Sequence, residues 1–241
     1  MERNPLYNYN RLPMEKAYNV RELGGYAARK GRITQYHKFL RSENLTDLTG
    51  EDITFLKSYG LKTVIDLRGS EEAVIYPCQL RNMEGIDYIN LPFISDNVLD
   101  LRTVQDEGFI PEQFYKNLVD YRDMVCKIMK YILDHKKGTL LFHCQAGKDR
   151  TGVLAMILLG NCGVSKYDII ANYEVTHTYL KDKVELHIEK GLEELEYSRP
   201  AWIEAAYDHI ITEYGSFIDY LLTCGMTKKE IKKLRKRLLE A

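Results

Sequence analysis

Residues 139–160, TLLFHCQAGKDRTGVLAMILLG, constrain the fold more than any other stretch of the chain. TLLFHC is a short apolar run of strand length entered through Gly138, a polar loop with one glycine follows, and TGVLAMILLG is a helical run. Two more runs look like buried strands: LKTVIDLRG at 61–69, rich in β-branched residues and ending in a turn-prone glycine, and IDYINLPF at 86–93, closed by Pro92. Helical patterns alternate with them. LTGEDITFLKSYG has Thr49 as a candidate N-cap and Gly60 as a stop, and a long helix is expected from about Pro111 to Lys137. Such alternation predicts an α/β fold, a central and partly parallel sheet flanked by helices.

After Gly152 the texture changes and the chain reads as helix to its end, so a mostly helical C-terminal part is expected. Ser165 with Asp168 and Thr227 with Glu230 form capping-box patterns that open helices. The charged segment 183–198, KVELHIEKGLEELEYS, has the composition of an exposed helix face, with a helical lid over a site as the sharper alternative. No Pro/Ser-rich linker, charge block or repeat marks a boundary, so residues 1–241 are expected to form a single domain, with helices over 199–241.

Lys and Arg total 34 against 35 Asp and Glu, a formal net charge of −1, so no global basic field points to nucleic acid and any anion site must be local. The five cysteines, Cys78, Cys126, Cys144, Cys162 and Cys224, are odd in number and widely spaced, which fits neither a disulfide framework nor a zinc knuckle. Most are expected to be small buried hydrophobes, Cys162 among them. The amino terminus lacks an apolar central region, and VLAMILLG at 153–160 is too short to span a bilayer. A cytoplasmic location is the default expectation, with secretion open if a leader has been removed; nothing in the sequence speaks to oligomeric state.

A strand that ends at His143 and Cys144, then a short loop and a helix, puts backbone N–H groups and a helix N-terminus around one point. That arrangement binds anions. Gly147 allows a tight turn, and Gln145, Ala146, Gly147 and Lys148 can aim their amides inward as a phosphate-cradling nest. Cysteines in such positive surroundings are the reactive ones, because the thiolate is the nucleophile. Arg150 lies six residues after Cys144, so a curled loop brings its planar fork of donors beside a bound phosphate. Thr151 can donate its hydroxyl to the sulfur, and the His143 ring can fix the cysteine backbone. Attack of Cys144 on phosphorus would give a phosphocysteine. Asp149 is the nearest acid for the leaving group, and Lys148 would add positive charge.

HCQAGKDRTG resembles the signature loop of cysteine-dependent protein tyrosine phosphatases, and its AGKDRTG form resembles the bacterial branch of tyrosine, dual-specificity and lipid-phosphatase type. NVRELGGY at 19–26, which holds Arg21, FLRSENL at 39–45 and VIDLRGSEE at 64–72 are similar to three further elements of that branch, in the same order. The similarity covers most of residues 18–180. It implies a parallel-rich sheet, phosphomonoester hydrolysis, no metal and no cofactor. By matching position it makes Cys144 the nucleophile, Arg150 the phosphate clamp and Asp149 the acid/base, with Asp66 the second choice of acid.

Asp66 and Arg68 have a simpler reading as an ion pair that holds the loop, and Gly24 and Gly25 read equally as a turn or as direct substrate contacts. The expected partner is a phosphorylated protein or peptide bearing phosphotyrosine, with dual specificity if phosphoserine or phosphothreonine also serves. The rivals are a phosphoinositide or inositol phosphate, a rhodanese-like sulfur transfer, and a catalytically weak phosphate-binding module.

Overall fold

The computed structural model describes residues 3–94, 110–181, 183 and 196–239. Seven strands appear among the described residues, in chain order: β1 (Arg21–Glu22), β2 (Ala27–Ala28), β3 (Arg32–Ile33), β4 (Phe39–Ser42), β5 (Leu61–Asp66), β6 (Asp87–Asn90) and β7 (Thr139–His143). The main sheet has the order β1-β4-β7-β5-β6, while β2 and β3 form a small separate hairpin. β4, β7, β5 and β6 run parallel, and only β1 is antiparallel to its neighbour. The sheet is therefore partly parallel, with β7 at its centre as the apolar 139–144 run requires.

Register decides where the chemistry can sit. Ser42 pairs with His143, His143 with Asp66, and Asp66 with Asn90, so four strands end in one row. Beyond such a row of carboxyl ends lies the usual crevice of an open α/β sheet. The sequence pattern does not mark β4 as a strand; its short Phe39–Ser42 run is held by a neighbour on each side.

Side chains alternate across the sheet into two cores. Phe39, Ile65, Leu140 and Phe142 point into the larger one, which draws on residues from Leu23 to Leu239, and Leu40, Val64 and Leu141 point into the smaller. Helix α1 (Gly50–Ser58) covers the smaller core, opened by the Thr49 and Asp52 capping box. Helix α2 (Ser70–Ile75) follows β5.

The long helix expected over 111–137 is two: α3 (Pro111–Asp120) and α4 (Arg122–Asp134), separated at Tyr121, whose ψ of 51° is not helical. The break lets Tyr115, Leu118 and Val119 from one half and Val125, Met129 and Ile132 from the other turn into the same core. Helix α5 (Asp149–Cys162) leaves the loop and is buried at nearly every position, consistent with its apolar VLAMILL run.

The remaining chain is helical among the described residues: α6 (Lys166–Leu180), α7 (Pro200–Tyr214), α8 (Phe217–Thr223) and α9 (Lys228–Leu238). Thr227 and Glu230 close a full capping box, whereas Ser165 caps α6 through the Asp168 amide. The expected 183–198 helix or lid lies outside the described residues apart from Lys183 and 196–198. Among the described residues no helix is long and apolar enough to cross a membrane, and no group of three His, Cys, Asp or Glu could hold a metal ion.

Candidate active site

Cys144 directly follows β7 and is almost fully buried at the base of the loop. The next three residues are held by donors from outside the loop. The Gln145 carbonyl accepts from the Asn44 amide at 2.9 Å, the Ala146 carbonyl from Asn19 Nδ2 at 3.0 Å, and the Gly147 carbonyl from Arg41 Nη2 at 2.7 Å. In a trans peptide the carbonyl and the following N–H point oppositely. Tying three carbonyls outward therefore turns the amides of Ala146, Gly147 and Lys148 the other way, into the loop.

Gly147 is required here. Its φ is 66°, and a Cβ on it would lie 2.4 Å from the Ser42 carbonyl oxygen. The helix N-terminus completes the cradle, because α5 starts at Asp149 with no side-chain cap on its first turn. Uncapped amides and the positive end of the helix favour an anion at that point.

Arg150 is 8% exposed, and its guanidinium makes a two-point pair with Glu72, Nη1 to Oε2 at 2.8 Å and Nη2 to Oε1 at 3.3 Å. Thr151 is fully buried, and its hydroxyl has no hydrogen-bond partner among the described residues. Asp149 accepts a short hydrogen bond from the Tyr115 hydroxyl, which lies 2.5 Å from the Tyr173 hydroxyl; its side chain keeps 30% exposure. Burial and the Asp149 carboxylate hold Tyr115 well above the ordinary tyrosine range, so it stays a neutral donor.

Lys148 does not extend into solvent. Its ammonium donates to the Tyr197 carbonyl at 3.1 Å, lies 3.5 Å from Asp149 Oδ1 and sits 5.1 Å from the Trp202 ring centre. This placement joins the loop to the chain just before α7.

Asp66 and Arg68 form a closed pair behind the loop. Arg68 Nε reaches Asp66 Oδ1 at 2.9 Å and Nη2 reaches Oδ2 at 2.6 Å, while Tyr88 donates to Oδ2 at 2.9 Å. Burial opposes ionisation of Asp66, but the His143 ring, when protonated, and Arg68 outweigh it and lower the carboxyl to about 2. Burial lowers His143 against the pull of Asp66, so the ring is neutral at neutral pH and Arg68 carries the attraction. His143 Nδ1 is 3.2 Å from the Cys144 carbonyl, and Arg68 Nη1 also meets the Gln145 side chain at 3.4 Å.

Arg21 lies beside the loop without entering it. Its Nη2 donates to the Asn172 carbonyl and to Thr176 Oγ1, both at 2.8 Å, and its Nη1 to Asn19, the residue that anchors Ala146. Glu43 accepts from the Tyr18 and Asn19 amides at 2.5 and 3.0 Å, holding the same segment. Gly24 packs so tightly on Tyr36 that a Cβ would lie 2.6 Å from its backbone, and Gly25 has a φ of 88°. Cys162 is core, its thiol pushed up to about 12 by burial.

The structure thus adds Arg41, Asn19, Glu43, Glu72, Asn172, Tyr115 and Tyr173 to the site. The first four fall inside or beside the motifs NVRELGGY, FLRSENL and VIDLRGSEE, where a charged or amide residue next to a strand end was the available signal. The last three come from α3 and α6 and carry no local signal.

A model of the tyrosine phosphatase family matches residues 12–240. A tyrosine-protein phosphatase of Nostoc commune is 29% identical over 220 residues, 84% of this chain and 74% of that protein. A Cupriavidus necator protein named a "putative tyrosine-protein phosphatase" is 32% identical over 171 residues, 67% of this chain and 61% of its own length. Among solved structures, that of P. aeruginosa TpbA aligns over 86% of this chain and 91% of its own, at 11% identity and a TM-score of 0.45. With the family match running through every element that builds the loop, the chain belongs to the tyrosine phosphatase family and is a phosphatase.

Proposed function

We propose that this phosphatase hydrolyses phosphotyrosine through a phosphocysteine on Cys144. The observation that carries the reading is the loop itself: three consecutive carbonyls are tied outward around a cysteine at a helix N-terminus. Phosphate oxygens take the inward amides, and Arg150 exchanges Glu72 for two of them. The Cys144 thiolate attacks phosphorus, the S–P bond forms, and the ester P–O bond breaks as Asp149 gives its proton to the leaving phenoxide. Water then attacks phosphorus and yields its proton to Asp149. The S–P bond breaks, releasing inorganic phosphate and restoring the thiolate.

Asp149 is assigned as the acid in preference to Asp66. It is partly exposed at the loop, whereas Asp66 is fully buried and held ionised by Arg68. Lys148, engaged by Tyr197 and Trp202, favours a substrate with one phosphate over an inositol ring carrying several. The test is initial rate with chelator and reductant present on phosphotyrosine peptide, phosphoserine peptide and phosphoinositides, alongside Cys144→Ser. Phosphotyrosine turnover that vanishes in the variant is expected. Preference for a phosphoinositide would overturn the substrate, and turnover that survives Cys144→Ser would overturn the mechanism.

A further inference from the structure

Arg41 on β4 is a fully buried guanidinium that the mechanism above does not use. Both of its bonded partners are neutral: Nη2 donates to the Gly147 carbonyl and Nη1 to Asn172 Oδ1, each at 2.7 Å, and Nε has no partner. Three other cations around the loop pair with a carboxylate: Arg68 with Asp66, Arg150 with Glu72 and Lys148 with Asp149. Arg21 is bonded to neutral groups, with Glu43 among the charges that support it. Among the described residues Arg41 makes no ion pair, and Arg21, opposite it across β1 and β4, repels it.

A buried charge without a counter-charge is costly, so an anion is expected to complete it. The groups packed on Arg41 narrow the choice. Burial opposes its charge; Tyr26, Tyr115 from α3 and Tyr173 from α6 surround it, and Cys144 is the group whose negative charge supports it most strongly. Its bond to the Gly147 carbonyl also polarises the peptide whose N–H, that of Lys148, faces into the loop.

We propose that Arg41 is the standing counter-charge of the loop, a positioning residue whose guanidinium offsets the Cys144 thiolate in the free enzyme and the phosphoryl group during turnover. The inference rests on the reading of Cys144 as nucleophile. It predicts that a carboxylate supplied from elsewhere would compete with the loop's anion for Arg41.

Asn172→Asp supplies one without disturbing the packing. The new carboxylate keeps an acceptor for Arg41 Nη1 and can accept from the Tyr26 hydroxyl that Asn172 Nδ2 now meets at 2.9 Å. The readouts are the pH profile of Cys144 alkylation by iodoacetamide, followed on its peptide by mass spectrometry, and inhibition by inorganic phosphate. In Asn172→Asp the alkylation midpoint should rise by roughly one pH unit and phosphate inhibition should weaken about tenfold, with a melting temperature no lower than wild type.

Arg41→Gln should shift alkylation the same way and Arg41→Lys, which keeps the charge, should stay near wild type; that pair decides the matter if Asn172→Asp fails to fold. An alkylation profile and phosphate inhibition that coincide with wild type in folded Asn172→Asp, or equal shifts in Arg41→Lys and Arg41→Gln, would overturn the proposal. Absence of Cys144-dependent turnover in the wild type is the separate result that removes the underlying mechanism.

Discussion

Two arginine–carboxylate pairs flank the loop, and they are built differently. In Arg68–Asp66 both side chains are wholly buried, and Tyr88, the Tyr76 carbonyl and a backbone amide complete the pair. In Arg150–Glu72 the side chains keep 9% and 26% exposure, and the carboxylate covers both terminal nitrogens that a phosphate would need. One pair is closed on all sides and serves as foundation. The other can part when an anion arrives, because its carboxylate has solvent to return to.

The largest effect should come from breaking the closed pair. Asp66→Asn leaves Arg68 buried with no counter-charge and should cost about 3–5 kcal/mol of stability, measured by urea denaturation. The same pair has an acid signature. Its folded carboxyl is lowered to about 2, so the stability it contributes is present above the unfolded value near 4 and is lost as pH falls from about 4 toward 2. The wild type should lose stability across that window, and Asp66→Asn should lose less; parallel curves would show that the pair does not stabilise the fold.

Breaking the open pair from the arginine side should act on turnover. Arg150→Lys loses the planar fork, and kcat/KM should fall about 10²–10³-fold while stability changes by less than about 1 kcal/mol. A stability loss as large as that of Asp66→Asn would erase the distinction between the pairs. The smallest effect belongs to Glu72→Gln, which removes a competing negative charge 2.8 Å from Arg150. Phosphate should then inhibit several-fold more tightly at nearly unchanged stability, and weaker inhibition would mean that Glu72 holds Arg150 in place for the anion.

What was legible in the sequence follows the range of the forces involved. The strands at 61–66, 87–90 and 139–143 and the caps at Thr49, Ser165 and Thr227 are short-range features, written in β-branched runs and in polar residues beside helix starts. The loop could be read for the same reason, since its chemistry lies within HCQAGKDRTG. The break at Tyr121 could not, because it answers to a core assembled from both halves of the chain. Nor could the contacts that aim the loop: Asn19 and Ala146 are 127 residues apart, Arg41 and Gly147 106, and Tyr115 and Asp149 34. Lys148 reads in the sequence as positive charge for the substrate, and its contact with the Tyr197 carbonyl, 49 residues away, was not legible there.

The chain has one tryptophan, and it is Trp202, buried in the core and facing the Lys148 ammonium. An ammonium above an indole face perturbs the ring's excited state, so the indole emission of this protein has a single source placed beside the loop. Anything that moves Lys148 should change that emission. The enzyme thus has a built-in fluorophore, which reports in the unlabelled protein on the position of Lys148 and of the loop it belongs to.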